Sequence, residues 1–507
     1  MSILKKLAGQ TAIYGLSSIV GRFLNYLLVP IYTRVLTGDA GIAEYGVSTW
    51  FYAIAAFGGV IYTYGMETAF FRFSQKDSDN NENVFSTVTW SLIISSIILS
   101  GAIFLFAPQL AIWSENVGRE SYFRLFAVIF AADAVTTVPF AWLRQQNEAL
   151  RFALLRLLSI GVNIGLNLLF YVVLPYFITQ GFFAPLDTEG VSVRWMFFAN
   201  VVSSLIVLPF FAKEFQMLRR GFDKDLWKRM MLYAYPLIFM GFAGMINETL
   251  DRVMLKSMLP NPHFAEQQIG IYGANYKLSI IMTLFIQAFR FAAEPFFFAQ
   301  AKGEDSKNTY ARVMQYFIAI CATIFVGVML FLPIVKGFIG KSYHEGLKVV
   351  PILLLANLFL GSYYNLSIWY KLTDKTRLGA IVSLIGAAIT VILNYLWIPT
   401  MGYEGSAWAT LVCYFSMAAM SYGLGQHYFP VPYPLKRIGA FLALALSIYL
   451  ISDMLKEAFD FSNLQAIIVN FVLFCVYLCV LFKIEEKIIR DLLRSKQLGD
   501  ASESSDL

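Results

Sequence analysis

Long apolar stretches alternate with short polar segments along nearly the whole chain. Each stretch holds about 20 residues or more, the length that an α-helix needs to cross a bilayer. Ser91–Ala107 and Ile467–Phe482 are apolar on nearly all sides, whereas strands of a membrane barrel alternate in polarity over about 10 residues. The pattern predicts an all-α integral membrane protein with about fourteen transmembrane helices. They are predicted at 9–35, 42–73, 84–107, 121–145, 149–177, 191–214, 227–257, 266–300, 308–338, 346–371, 377–399, 404–427, 435–454 and 464–484.

The chain also repeats itself faintly at an offset of 227 residues. Several polar and aromatic matches in one register indicate two related halves, and such halves are typical of transporters. The matches are Tyr45-Gly46 with Tyr272-Gly273, Glu67 with Glu294, Phe70-Phe71 with Phe297-Phe298, Trp142 with Trp369, Arg144 with Lys371, and Leu166-Asn167 with Leu393-Asn394. We expect the repeated amides Asn167 and Asn394 to form hydrogen bonds between helices.

The repeat sets the predicted domain organisation. Residues 1–220 form an N-terminal lobe of six helices, and residues 221–430 form a C-terminal lobe of six more. Because six is even, both lobes run in the same direction and are related by an axis along the membrane normal. Residues 431–485 add helices 13 and 14, and residues 486–507 form a cytoplasmic tail that is predicted to be disordered at its end.

Basic residues predict the orientation. Hydrophobic residues make up 58% of the chain and charged residues only 14%, compared with about 25% charged in soluble proteins. Alternate loops collect most of the lysines and arginines, with the densest cluster at Lys213–Arg229. The positive-inside rule then places both termini in the cytoplasm. The net charge of +6 is mostly this excess, so no nucleic-acid partner is expected.

Four segments resemble the signatures of one transporter family. They are Pro30–Leu36 followed by Tyr45-Gly46, Asp251–Leu255, Gly270–Lys277 and Gly402–Ala409. Their order and the helix count resemble the polysaccharide flippases of the O-antigen and capsule type. These belong to the superfamily that also holds lipid II flippases and multidrug and toxin extrusion antiporters.

The resemblance implies a V-shaped pair of six-helix bundles around a central cavity. It also implies a cargo, an oligosaccharide on a polyprenyl pyrophosphate, which is flipped across the bacterial cytoplasmic membrane for surface polysaccharide synthesis. Membrane lipid and other polysaccharide-assembly proteins, such as a glycan polymerase, are the implied partners. No cofactor is expected beyond a coupling cation such as H⁺ or Na⁺.

Three alternatives stay open. A lipid II flippase is the nearest, and a cation-coupled multidrug antiporter would need cavity acids rather than bases. A membrane enzyme that polymerises or ligates glycans would need a long catalytic loop, and the sequence contains no such loop. The chain is therefore expected not to be an enzyme.

Five bases are candidates for binding an anionic cargo, because a charge inside a membrane is costly and usually faces a cavity or a partner. They are Arg22, Arg156, Arg252, Lys277 and Arg290. Arg22 lies near the middle of the first predicted helix, where it grips phosphate or pairs structurally with Asp133 or Glu67. Lys277 and Arg290 are thirteen residues apart, so both cannot point at one site.

Four acids are candidates for gating or ion coupling: Glu67, Glu248, Asp251 and Glu294. Glu248 and Arg252 are four residues apart, so a structural salt bridge is expected between them. The repeated Glu67 and Glu294 lie near inner helix ends, where they either pair structurally or couple transport to a cation. Tyr26, Tyr52, Tyr64 and Tyr276 are candidates for stacking on sugar rings. The histidines and cysteines are scattered along the sequence and form no cluster, so no metal site is expected.

Overall fold

The structure is a computed structural model that describes residues 19–76, 81–180, 192–300, 305–459, 461 and 463–503. All regular elements in these ranges are helical. Twelve of the helices are long and apolar enough to cross a membrane, and helical segments at 19–35 and 38–76 precede them. The predicted fold class is therefore confirmed.

We number the long helices α1 to α14 in chain order, with breaks included. They are α1 (19–26 and Val29–Val35), α2 (Gly38–Thr63 and Met66–Lys76), α3 (Asn81–Trp113), α4 (Glu120–Gln145), α5 (Ala149–Leu168, Leu169–Val173 and Leu174–Thr179), α6 (Arg194–Leu205), α7 (Lys224–Met258), α8 (Pro262–Leu278 and Ile280–Gln300), α9 (Ser306–Leu330), α10 (Val350–Leu366 and Ile368–Leu372), α11 (Thr376–Met401), α12 (Tyr403–Tyr428), α13 (Leu435–Ala458) and α14 (Asn463–Glu503). Short helical turns cover Leu208–Arg220 and Leu332–Val349.

The helices pack mainly within their own half of the chain. In the N-terminal half α3 packs on α4, and α6 packs on both α4 and α5. In the C-terminal half α7 packs on α11, and α12 packs on both α10 and α11. α13 packs on α9, and α14 packs on α13 and α9. The boundaries at 220, 430 and 485 stay predictions, as does disorder at the end of the tail, whose last four residues lie outside the described ones.

The two faces of the bundle can be told apart by which loops lie together. At one face the segments near Leu36, Asn116, Leu259 and Gly340 contact one another, and we call it the predicted outer face. At the other, Glu82 pairs with Arg220, and this is the predicted inner face. The loops after α1, α3, α7 and α9 thus share a face, as an alternating chain requires.

Contacts between the two halves run chiefly through α2, α7 and α8. The outer part of α8 packs along α2, and α7 packs along the length of α2. By contrast, the inner part of α8 (Ile280–Gln300) packs on α9 and α10 of its own half. α8 is broken at Ser279, so the part held against α2 is separated from the part that is not.

One prediction concerns the start of α7. The carboxylate of Asp223 accepts hydrogen bonds from the backbone N–H groups of Asp225 (3.0 Å) and Leu226 (2.9 Å). The Leu226 N–H holds the pKa of Asp223 below its usual value. Asp223→Ala should therefore cost about 1 kcal/mol of stability. The contribution is complete above pH ~4, the unfolded pKa, and is lost as pH falls through the lowered folded value.

The check is a thermal melt of the purified protein at neutral pH. Asp225→Ala is the matched control, because this side chain is 91% exposed and its ion pair with Lys228 is long, at 4.0 Å. Equal melting temperatures for the two variants would contradict the capping role of Asp223.

Candidate functional site

A cavity of about 400 Å³, the outer cavity, lies between the two halves. Helices α1, α2, α5 and α6 supply a neutral polar wall, whereas α7 and α8 supply a charged one. The neutral wall includes Asn25, Tyr32, Tyr45, Tyr52, Asn163 and Asn200, and the charged wall includes Glu248, Thr249, Arg252, Tyr276 and Lys277. The structure therefore brings Arg252 and Lys277 together, along with the candidate aromatic residues Tyr52 and Tyr276.

Arg252 is held by protein groups. Its guanidinium is 2.9 Å from the Asp251 carboxylate and donates to the Glu248 backbone carbonyl at 2.6 Å. The Tyr272 hydroxyl donates to the other oxygen of Asp251 at 2.8 Å, and the guanidinium lies 4.5 Å from the centre of the Tyr276 ring. The expected Glu248–Arg252 salt bridge is thus wrong, because Arg252 pairs with the neighbouring acid.

Lys277 and Glu248 are left without a close ionic partner among the described residues. The charge of Glu248 acts on Lys277 and on Arg252 electrostatically, but no ion pair within 4.0 Å joins it to either in this part of the chain. Glu248 and Lys277 therefore keep hydrogen-bonding capacity for a molecule in the cavity.

A second cavity of about 470 Å³, the inner cavity, lies within the C-terminal half. α7, α8, α10, α11 and α12 line it, with Arg290, Tyr364 and Lys371 among the polar residues. Glu248 lines both cavities. Glu248 therefore lies on the border between the two cavities.

Arg290 of the C-terminal half lies beside Tyr364, whereas Arg22 of the N-terminal half lines neither cavity and acts on that tyrosine only through its charge. Both charges act on the hydroxyl of Tyr364, and the Arg290 guanidinium lies 4.8 Å from the centre of the Tyr364 ring. Arg22 and Arg290 are both exposed, and neither forms an ion pair with a described acid. Two guanidinium groups without ion-pair partners, one from each half, are suited to an anion with several oxygens.

The structural partners considered for Arg22 are engaged elsewhere. Glu67 pairs with Arg144, and the charge of Asp133 interacts with Arg156. Arg156 also stacks on Phe140, with its guanidinium 4.0 Å from the ring centre, and lines neither cavity.

The repeat-related residues behave alike only in part. The side chain of Glu294 lies outside the described residues, so its match to Glu67 stays untested. Asn167 and Asn394 are buried and donate to carbonyls four residues earlier on their own helices, each at 2.8 Å. The expected hydrogen bonds between helices are therefore absent for these two described amides.

A buried charge network crosses between the halves at the predicted outer face. The Glu266 carboxylate of α8 accepts from Arg119 at 2.6 Å and from Lys256 at 2.9 Å. Arg119, which precedes α4, also pairs with Glu44 of α2 at 3.1 Å, and Lys256 donates to Asn116 at 2.6 Å. Sequence reasoning missed this network, because Arg119 and Glu266 are 147 residues apart.

Glycines allow the halves to approach within backbone contact beside this network. A Cβ atom on Gly46 would overlap the carbonyl oxygen of Glu266, and one on Gly270 would overlap that of Ile42. Nearby, a Cβ on Gly340 would overlap the Thr33 carbonyl. We call this region, together with the charge network, the outer seam. It joins the two halves firmly at the predicted outer face.

The arrangement suits binding and conformational change. Among the residues that the structure describes, no group of three or more histidine, cysteine or acidic side chains is placed to hold a metal ion. The polar residues of the two cavities instead offer guanidinium, ammonium, amide and phenol donors, which suit phosphate and sugar groups.

Three solved structures share this fold. A lipid II flippase in an inward closed conformation matches with a TM-score of 0.71 and 14% identity, over 97% of this chain and 100% of that one. An inward-facing multidrug resistance MATE family transporter matches at 0.59 and 15%, over 85% and 95%. A MOP superfamily transporter from Pyrococcus furiosus, described as having a binding pocket of reverse polarity, matches at 0.54 and 15%, over 85% and 96%.

No curated protein sequence matches the chain. The family model described as polysaccharide biosynthesis protein matches residues 7–301, which is more than half of the chain. The resemblance inferred from the sequence signatures is therefore confirmed, together with a fold shared with MOP superfamily transporters. The chain belongs to the polysaccharide biosynthesis protein family.

Proposed function

We propose that this protein is a flippase that moves a polyprenyl-pyrophosphate-linked oligosaccharide from the inner to the outer leaflet of the bacterial cytoplasmic membrane. The observation that carries the proposal is a pair of exposed bases from opposite halves: Arg290 lies 4.8 Å from the Tyr364 ring centre, and the charge of Arg22 acts on the same tyrosine. A pyrophosphate has enough oxygens to accept hydrogen bonds from both guanidinium groups at once.

Binding of one cargo to Arg22 and Arg290, which belong to different halves, gives a physical reason for alternating access. A cargo that touches both halves favours whichever arrangement brings its ligands together, and it shifts the equilibrium only by its difference in affinity for the two states. In this mechanism the outer seam is closed when cargo loads from the inner leaflet. Once the cargo is bound, the halves close around it on the inner side and separate at the outer seam. The prenyl chain stays in lipid throughout.

Glu248 is our candidate for the coupling residue, because it lines both cavities. A proton or Na⁺ at Glu248 would change the field felt by Lys277 and Arg252. Asp251, Glu67 and Glu294 are proposed in supporting roles at the gates. For Asp251 and Glu67 this fits their ion pairs with Arg252 and Arg144.

A lipid II flippase is the second candidate, favoured by the structural similarity that spans 97% of this chain. A cation-coupled multidrug antiporter is less favoured, because such a cavity needs unpaired acids, whereas here the unpaired Glu248 shares the outer cavity with Lys277 and the inner cavity with Arg290. A glycan polymerase or ligase would require a catalytic centre, and the family and the fold neighbours support a transporter instead.

Depletion of the protein in its native cell tests the proposal. We expect a polyprenyl-pyrophosphate oligosaccharide to accumulate on the inner leaflet and surface polysaccharide to disappear, with lipid II levels unchanged. Extraction and mass spectrometry of leaflet-resolved lipids would identify the stalled molecule. Accumulation of lipid II instead would favour the second candidate, and no accumulated glycolipid would refute both.

A further inference from the structure

The two cavities carry bases too far apart to serve one phosphate group. Lys277 lines the outer cavity and Arg290 lines the inner one. They are thirteen residues apart along α8, on opposite sides of its break at Ser279; an unbroken helix of that length would span about 20 Å. A pyrophosphate consists of two phosphates that share one oxygen, so it cannot reach both bases at once. If pyrophosphate binds at Arg22 and Arg290, Lys277 faces another part of the cargo.

The neutral wall of the outer cavity is built for hydroxyl groups. Asn163 donates to the side-chain oxygen of Asn200 at 2.8 Å, and Asn200 donates in turn to the Tyr52 hydroxyl. These bonds fix the orientation of the two amides, while Asn25 also faces the cavity. The volume of about 400 Å³ falls within the usual range, roughly 300–1,000 Å³, of small-molecule sites. Fixed amides and phenols in a space of this size suit sugar rings.

On the charged wall, Lys277 is the base that is available to contact a bound sugar. Arg252 is already bonded to Asp251, whereas Lys277 forms no ion pair with any acid in the described ranges. Glu248 faces the same cavity but lies on its border with the inner one, so its carboxylate is not committed to Lys277. Lys277 thus places an ammonium group without an ionic partner beside fixed hydrogen-bonding groups. Such a group favours a sugar ring that carries a carboxylate.

We propose that the outer cavity is a subsite for an acidic sugar of the uronic acid class, and that Lys277 is the residue that selects it. This inference rests on the proposed function, since it assigns the pyrophosphate to Arg22 and Arg290. The neutral wall binds the hydroxyl groups of the ring, and Lys277 distinguishes a carboxylate from a hydroxymethyl group.

Binding of two matched disaccharides to the full chain in nanodiscs tests this assignment. Cellobiouronic acid and cellobiose differ only in whether the terminal ring carries a carboxylate or a hydroxymethyl group. The wild-type protein should bind the acidic disaccharide about tenfold more tightly or better, as expected for a charge-assisted contact. Lys277→Gln should remove that preference without weakening cellobiose binding, and Lys277→Arg should keep it.

Arg124→Gln is the control, because Arg124 is an exposed base on α4 that lines neither cavity. Its preference should match that of the wild type. Equal binding of both disaccharides to the wild-type protein, or a preference retained in Lys277→Gln, would overturn the subsite.

Farnesyl pyrophosphate separates this inference from the proposed function. It should bind the wild-type protein and Lys277→Gln equally, and Arg290→Gln should lose it while keeping the preference for the acidic disaccharide. Failure of the wild-type protein to bind farnesyl pyrophosphate would count against the flippase proposal itself. Normal pyrophosphate binding without sugar discrimination would leave the flippase intact and remove only the acidic subsite.

Discussion

Alanine at Arg22 is expected to reduce export of surface glycan by about tenfold or more while leaving the protein inserted in the membrane. Arg22 is exposed, forms no ion pair with a described acid and acts on Tyr364 together with Arg290. Losing one charge-assisted contact to a pyrophosphate weakens binding by about tenfold or more. Arg290→Ala should have an effect of similar size. Surface glycan per molecule of membrane-inserted protein is the quantity to measure.

The double variant adds a sharper test. If both arginines hold one pyrophosphate, their effects are coupled, so Arg22→Ala combined with Arg290→Ala should lose less than the product of the two single losses. Arg124→Ala serves as the control for removing an exposed base. Normal export by Arg22→Ala at matched protein level would remove Arg22 from the cargo site.

Glu266→Gln is expected to open the predicted outer face. Glu266 is 4% exposed and forms ion pairs with both Arg119 and Lys256, while Lys256 is 3% exposed. Removing one partner from a buried ion pair costs about 3–5 kcal/mol. About 5.5 kcal/mol is enough to reverse the ratio of two conformational states from 1:99 to 99:1. The loss of the ion pair is close to that size. The cost falls on the closed seam, so the population shifts toward the arrangement in which the seam is open.

Labelling from outside the cell measures this shift. In a background without native cysteines, Ser48→Cys places a thiol on the wall of the outer cavity. A membrane-impermeant maleimide should label it faster in Glu266→Gln. Glu404→Gln is the matched control, because Glu404 pairs with Lys348 within one half at the same face. Equal labelling in the two variants would show that the network does not hold the seam closed.

Much of the fold followed from one-dimensional information. Helix length and loop charge are local properties, and the repeat at 227 residues related the halves without any coordinates. These features were predictable because a membrane restricts the chain to helices and penalises isolated charges. The role of Arg22 stays a prediction, because this residue lines neither cavity.

The pairing of the charges was harder to predict. Spacing on an ideal helix favoured Glu248 as the partner of Arg252, yet the Tyr272 hydroxyl and the turn of the backbone bring Asp251 to it instead. Tyr364 and Asn200 gave no signal, since one aromatic or amide among many is unremarkable in sequence. The network around Glu266 joins three helices and a loop, and only the folded chain places them together.

The outer seam can close only because three of its positions carry no side chain. Gly46, Gly270 and Gly340 each bring a backbone carbonyl of the facing segment into the space that a side chain would fill. A methyl group at any of these positions would overlap the facing backbone carbonyl and hold the halves apart. The positions of this chain that tolerate the least increase in side-chain size therefore include residues that line neither cavity.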